Sequence, residues 1–190
     1  MTTKTDYMPR LKKHYLENVV SAMMKEMNLK SPMAVPKISK IVISMGVNEA
    51  KEDIKQLETA KEELASITGQ MPQIKRAKKS ISNFKLRQGM PIALKVTLRG
   101  DRMYEFLDRF ISLAAPKIRD FSGFDSDKFD GHGSYNIGLK DHFIFPEINP
   151  EKAPKSRGIN ITLVTTTKED KTAKKLLDYF GFPFKESNKK

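Results

Sequence analysis

The chain has 190 residues, with 35 Lys and Arg against 23 Asp and Glu, a net charge of +12 and no Cys. At roughly 100 to 200 residues per domain this predicts one domain over 1–190, with an ordered core at about 7–185 and loose ends. The absent thiol excludes disulfides, zinc fingers, Fe–S clusters and a cysteine nucleophile; no long apolar span or signal-like run occurs, so a soluble cytosolic protein is expected, with a polyanion as its natural partner.

In chain order, Leu11, Tyr15, Val19, Met23 and Met27 recur every four residues, which predicts an amphipathic helix over Met8 to Leu29, ended by Pro32 and Pro36. Ile41, Ile43, Met45 and Val47 alternate with other residues in a half-buried strand from Ile38 to Val47. Ile54, Leu57, Ala60, Leu64 and Ile67 form a second helical stripe over Asp53 to Thr68, with Gly69 as its C-cap. Beyond a basic stretch, Ile92, Leu94, Val96 and Leu98 mark a strand, followed by a helix with Asp101 as N-cap, Phe106, Leu107, Phe110 and Ala114 inside, and Pro116 at its end.

Phe121 to Asn136 is rich in Gly, Asp and Ser and reads as an ordered loop, with short strands expected at Tyr135–Leu139 and His142–Phe145. Ile159, Ile161, Leu163 and Thr165 predict another strand, and Ala173, Leu176, Leu177 and Phe180 a last helix closed by Gly181. The strands each carry one polar face and follow no βαβ rhythm. An α+β fold is therefore expected, a two-layer sandwich of a largely antiparallel, curved sheet with helices packed on one face. The other face, with Ser44, Lys95, Thr97, Arg99, Thr162 and Thr166, is expected to be polar and free.

No acidic residue lies between Glu63 and Asp101, whereas Lys75, Arg76, Lys78, Lys79, Lys85, Arg87, Lys95 and Arg99 do. Such a cluster repels itself until an anion neutralises it. Ser80, Ser82, Asn83 and Gln88 interleave with these cations and can reach 2′-hydroxyls or base edges, a mixture that suits RNA. Phe84, the one aromatic of the stretch, reads first as a core side chain and second as a stacking platform.

Two other functions compete with this one. Asp125, Asp127 and Asp130 could hold a divalent ion for a metal-dependent RNA-processing enzyme. The Ca²⁺-loop pattern fails, however, because Phe129 stands at its third ligand position and Asp130 at its glycine. The basic first helix could lie on a membrane, but Glu17 and Glu26 interrupt its face. His14, His132 and His142 are dispersed, Gly131-His132-Gly133 is half a dinucleotide fingerprint, and no P-loop occurs; no metal, cofactor or catalytic residue is expected.

Several segments together carry a family resemblance: Val35-Pro36-Lys37 leading into Ile43-Ser44-Met45-Gly46-Val47, Thr68-Gly69-Gln70, the run from Arg76 to Gly89, and Lys95-Val96-Thr97-Leu98-Arg99-Gly100. Pro116 to Phe121, Phe129-Asp130-Gly131, Phe145-Pro146-Glu147-Ile148, Arg157-Gly158 and Gly181-Phe182-Pro183-Phe184 extend it from about Tyr7 to Lys185. The chain closely resembles the family of universal large-subunit ribosomal protein number five, bacterial type. The resemblance implies a non-catalytic protein of the central protuberance that binds 5S rRNA and large-subunit rRNA and reaches the peptidyl-site tRNA. It also implies a bridge to small-subunit head protein number thirteen and contact with neighbouring central-protuberance proteins, but no membrane.

By position, Gln70, Phe84 and Arg87 match residues that contact 5S rRNA in the family, and Ser44, Lys95 and Arg99 join them on the polar face. Lys75, Arg76, Lys78, Lys79, Ser80, Ser82, Asn83 and Lys85 match the loop that approaches tRNA and rRNA. Ser44 replaces a common Asn and loses an amide. His132 and Ser134 stand where Arg and Asn are usual, which weakens an anion contact there at neutral pH.

Overall fold

The computed structural model describes residues 7–51, 53–149 and 155–185. Helix α1 runs through Arg10–His14, a π-helical turn Tyr15–Val19 and Val20–Glu26 without a break. An α-helix turns about 100° per residue, so a strict spacing of four drifts by about 40° at each step. The wider π turn takes up that drift and keeps Leu11, Tyr15, Val19 and Met23 all buried. The helix ends short of the expected Leu29, and Asn28 has a positive φ of 52°.

The other elements are β1 (Ile38–Gly46), α2 (Ile54–Thr68), β2 (Gln73–Arg76), β3 (Pro91–Leu98), α3 (Gly100–Arg109), β4 (Ser134–Leu139), β5 (Ile159–Thr165) and α4 (Asp170–Tyr179). The strands form one five-stranded sheet in the order β2-β3-β1-β5-β4. β2 and β3 pair antiparallel. The remaining neighbours are antiparallel too, because each pair meets end to start: the Val47 N–H donates to Ile92, the Thr166 N–H to Lys37, and the Gly133 backbone lies against Thr167.

The described chain divides into two compact units, each gathered from separate stretches. The first comprises Met1–Ile41, Arg99–Asn136 and Leu163–Lys190, and the second Val42–Leu98 and Ile137–Thr162. The first holds an aromatic core in which the Phe124 ring lies 5.8 Å from that of Phe110 and 5.1 Å from that of Phe182. There the tail after α4 pairs with Phe124: its N–H donates to Pro183 and its carbonyl accepts from Lys185. In the second unit α2 is capped by the Asp53 carboxylate, which accepts the Lys55 N–H at 2.9 Å. It is closed by Gly69 at φ 66°, and Leu57, Ala60, Leu64 and Ile67 are buried as their spacing requires, whereas Ile54, expected on the same stripe, is exposed in the first turn.

Other expectations need correction as well. His142–Phe145 is a pair of turns, opened by an Asp141 side chain that accepts the Phe143 N–H, and not a strand. Asp101 is not the cap of α3: Arg99 is its N-cap, and Asp101 sits in the first turn and pairs with Lys12. The polar sheet face is only partly free, since Ser44, Thr97 and Thr162 are half-buried while Lys95, Arg99 and Thr166 are exposed.

Candidate nucleic-acid interface

Lys75 and Arg76, expected in a loop, belong to β2, an edge strand that alternation could not reveal in four residues of mostly polar type. Its register sets Gln73 opposite Lys95 and Lys75 opposite Ala93, with an irregularity between Lys75 and Arg76. A charged edge strand resists pairing with other chains. It also fixes the base of the basic segment that follows.

That segment is closed upon itself. Ala77 is buried and exchanges hydrogen bonds with Met90 and Gly89, its N–H donating at 2.8 Å and its carbonyl accepting at 2.9 Å. Further out, Ile81 and Leu86 form an isolated antiparallel bridge around a 3₁₀ turn, Ser82–Phe84. Lys85 adopts the left-handed conformation, with φ 49°, to complete it. Ser80 Oγ accepts the Gln88 N–H at 2.9 Å, and the Arg76 guanidinium donates to the Gly89 carbonyl at 3.0 Å. The backbone is thus held by its own partners, and Lys78, Lys79, Ser82, Asn83, Lys85 and Arg87 are exposed or half-exposed at its surface.

Phe84 is 66% exposed, so the core reading of this side chain is overturned. The tip is too narrow to bury a ring, because a two-residue bridge around a single turn offers no second layer. Ile81, at 44% exposure, lies on the same tip, and Met71, at 67%, follows Gln70. The residue pattern gives no reason to expect either at the surface, and sequence reasoning misses both. An apolar side chain among cations is what base stacking and ribose contacts use.

Among the described residues, none of the eight cations between Glu63 and Asp101 pairs with a carboxylate; Lys75 instead donates to Gln73 Oε1 at 2.8 Å. Like charges about 8 Å apart cost about 0.5 kcal/mol per pair in water. Elsewhere the chain does neutralise itself, through Arg10–Asp108, Lys12–Asp101, Lys155–Glu49 and Lys175–Glu26. The basic segment makes no such pair among the described residues.

Gln70 is half-buried just past Gly69, its amide 3.5 Å from the Thr97 carbonyl of β3. Thr68 Oγ lies 2.8 Å from the Leu64 carbonyl and 3.0 Å from that of Gln70, which ties the residue to the helix end. Lys95 and the base of the hairpin thus lie on β2 and β3, Gln70 reaches β3 from the turn before β2, and Ser44 is half-exposed on β1. Arg99 follows β3 directly but belongs to the other unit.

The glycine loop is already occupied. The Gly131 and Gly133 N–H groups donate to the two oxygens of Asp170 at 3.0 and 2.8 Å, and those of His132 and Ser134 to Asp130 Oδ1. The Ser134 N–H, with a smaller contribution from that of His132, holds the Asp130 carboxyl below its ordinary value against the opposing effect of burial. With Asp130 committed to its own backbone and Asp125 lying 3.7 Å from Lys128, the carboxylates do not converge on an ion. No group of three metal-ligating side chains occurs among the described residues.

Two family models match the chain. Residues 31–87 match "Ribosomal protein L5", and residues 91–184 match the model of the C-terminus of the same ribosomal family. Among curated proteins, the chain is 54% identical over 175 residues to the large ribosomal subunit protein uL5 of Dictyoglomus thermophilum, covering 92% of this chain and 98% of that relative. It is 51% identical over 185 residues to the protein of the same name from Salinispora tropica, covering 97% and 98%. The Geobacter sp. protein is 53% identical over 178 residues, covering 94% and 99%.

Proposed function

Because the chain belongs to the ribosomal protein L5 family, and is thus a structural component of the large ribosomal subunit and no enzyme, we propose that it acts as the 5S rRNA-binding protein of the central protuberance. Its partners are ribosomal RNA and the ribosome. In this reading Gln70, Phe84 and Arg87 contact 5S rRNA, with Ser44, Lys95 and Arg99 adding contacts along the strands. Lys75, Arg76, Lys78, Lys79, Ser80, Ser82, Asn83 and Lys85 present the segment that meets large-subunit rRNA and the peptidyl-site tRNA. Small-subunit head protein number thirteen is the proposed partner across the intersubunit bridge, and the whole chain works as one RNA-binding domain.

The observation that carries the reading is the uncompensated basic hairpin with an exposed Phe84 at its tip. Phosphate contacts supply affinity through counterion release. A hairpin of set shape, Phe84 and the Gln70 amide supply selectivity, because folded RNA is recognised by shape, stacking and 2′-hydroxyl contacts. With Ser44 in place of a longer amide, that strand contact runs through water or is lost.

The test is the salt dependence of binding to 5S rRNA. If about six phosphates are neutralised, log K falls with log salt at a slope near −5 for duplex contacts. A slope near zero rejects the reading.

A further inference from the structure

Three titratable side chains of the second unit are buried without serving the RNA surface: Glu63 at 8% exposure, His142 at 0% and Arg157 at 4%. The Arg157 guanidinium forks between two residues of α2, donating to Glu63 Oε2 at 2.8 Å and to Gln56 Oε1 at 2.9 Å. Its backbone N–H donates to His142 Nδ1 at 3.0 Å. In neutral His142 the proton then resides on Nε2, which lies 3.2 Å from the same Glu63 oxygen but out of line for a hydrogen bond.

A buried ion pair is poor evidence for stability, because desolvation offsets the Coulomb attraction; its better-attested use is to fix one register among several. Gln56 and Glu63 stand seven residues apart, two helical turns on one face, so a single guanidinium holds two side chains that leave the α2 backbone about 10 Å apart along its axis. Such a grip resists both rotation and sliding. Apolar contacts from Leu57, Leu64 and Ile67 are non-directional and fix the register less sharply. Seven residues beyond Glu63, past the Thr68 and Gly69 cap, stands Gln70.

We propose that Glu63, Arg157 and His142 are positioning residues: they set the register of α2 and so hold Gln70 against Thr97 in the geometry that RNA recognition needs. The role rests on the RNA-binding reading for its purpose but not for its geometry. It also accounts for Arg157 and Gly158, which the sequence marked only as family words. Gly158 lets the backbone beside Arg157 pass the Leu139 carbonyl, where an added Cβ would stand at 3.3 Å.

The test replaces the pair by apolar residues of similar size, E63L with R157M, in the full chain. A merely stabilising pair predicts a folded variant with unchanged RNA binding. Positioning predicts a variant that melts within a few degrees of the wild type, yet shifts the NMR resonances of the Gln70 side-chain amide and loses about tenfold or more in affinity for 5S rRNA. Gln56→Ala, which removes one arm and leaves the ion pair, keeps the fold in any case and moves the same resonances by less. Unmoved Gln70 resonances in both variants overturn the proposal. If K78E/K79E binds RNA as the wild type does, it is the RNA reading that fails, and the Gln70 resonances still decide the register.

Discussion

Ile81 and Leu86 exchange both backbone hydrogen bonds, the Ile81 N–H donating at 2.9 Å and the Leu86 N–H at 3.1 Å. This bridge closes the tip of the basic segment before any RNA is present. The amides of Ile81, Leu86 and Gly89 are accordingly expected to exchange with solvent more slowly than those of Lys78 and Lys79 in the free protein. Hydrogen exchange followed by NMR checks this, and uniform fast exchange from Lys78 to Gly89 would show that the tip orders only on binding.

Lys78→Glu with Lys79→Glu reverses charge at two exposed positions with no carboxylate partner. Surface changes of this kind usually stay within about 0.5 kcal/mol of stability, so the melting temperature should hold. RNA affinity should fall, and the salt slope should shrink by about 2 if each lysine meets one phosphate. Parallel losses of stability and affinity would place these lysines in structural contacts.

The glycine loop separates strain from collision. Gly131 and Gly133 have similar positive φ values, 81° and 78°, but an added Cβ meets nothing within 4 Å at Gly131 and stands 2.3 Å from the Thr167 carbonyl at Gly133. Gly131→Ala should cost about 1 kcal/mol of strain, whereas Gly133→Ala must also displace a backbone carbonyl and should cost at least twice that. Equal urea midpoints for the two variants would contradict the close approach.

Asp130 gives the acid limb of stability a local component. Its folded value lies below the ordinary 3.8, chiefly because the Ser134 N–H favours the carboxylate. The stabilisation is therefore complete above 3.8 and disappears as pH falls through the lowered folded value. Asp130→Asn should be less stable than the wild type at about pH 7, and the deficit should narrow at about pH 2.5. A deficit of the same size at both pH values would show that the carboxylate charge is not involved.

Much of this architecture is readable from residue order. The stripes of α2 and α4 and the alternation of β1, β3 and β5 are long enough for periodicity to separate their faces, and the side chains expected inside are buried except Ile54, exposed in the first turn of α2, and Ile92, half-buried near the start of β3. Gly69 and Gly181 close their helices at positive φ, where a residue without Cβ is favoured. β2 is not legible in this way, because four residues cannot establish a period and its cations read as loop.

Phe84 reads as core because an aromatic ring is normally buried, and only the Ile81–Leu86 bridge shows that this one sits at the exposed tip of a two-stranded segment. The charge cluster is legible as a count. Its escape from neutralisation depends on which carboxylates fold nearby, and no local pattern records that. The grip of Arg157 on Gln56 and Glu63 is likewise invisible in one dimension, since its partners lie 101 and 94 residues away.

The most direct measurement of the central claim is a competition: purified protein bound to 5S rRNA at a low and a high salt concentration, challenged with an unrelated folded RNA of similar length. The account predicts weaker binding to both RNAs as salt rises, with a preference for 5S rRNA that survives at the higher concentration, because shape and the Gln70 and Phe84 contacts are not screened away with the phosphate contacts. Equal binding to both RNAs, lost together as salt rises, would leave a basic hairpin without selectivity and contradict the claim.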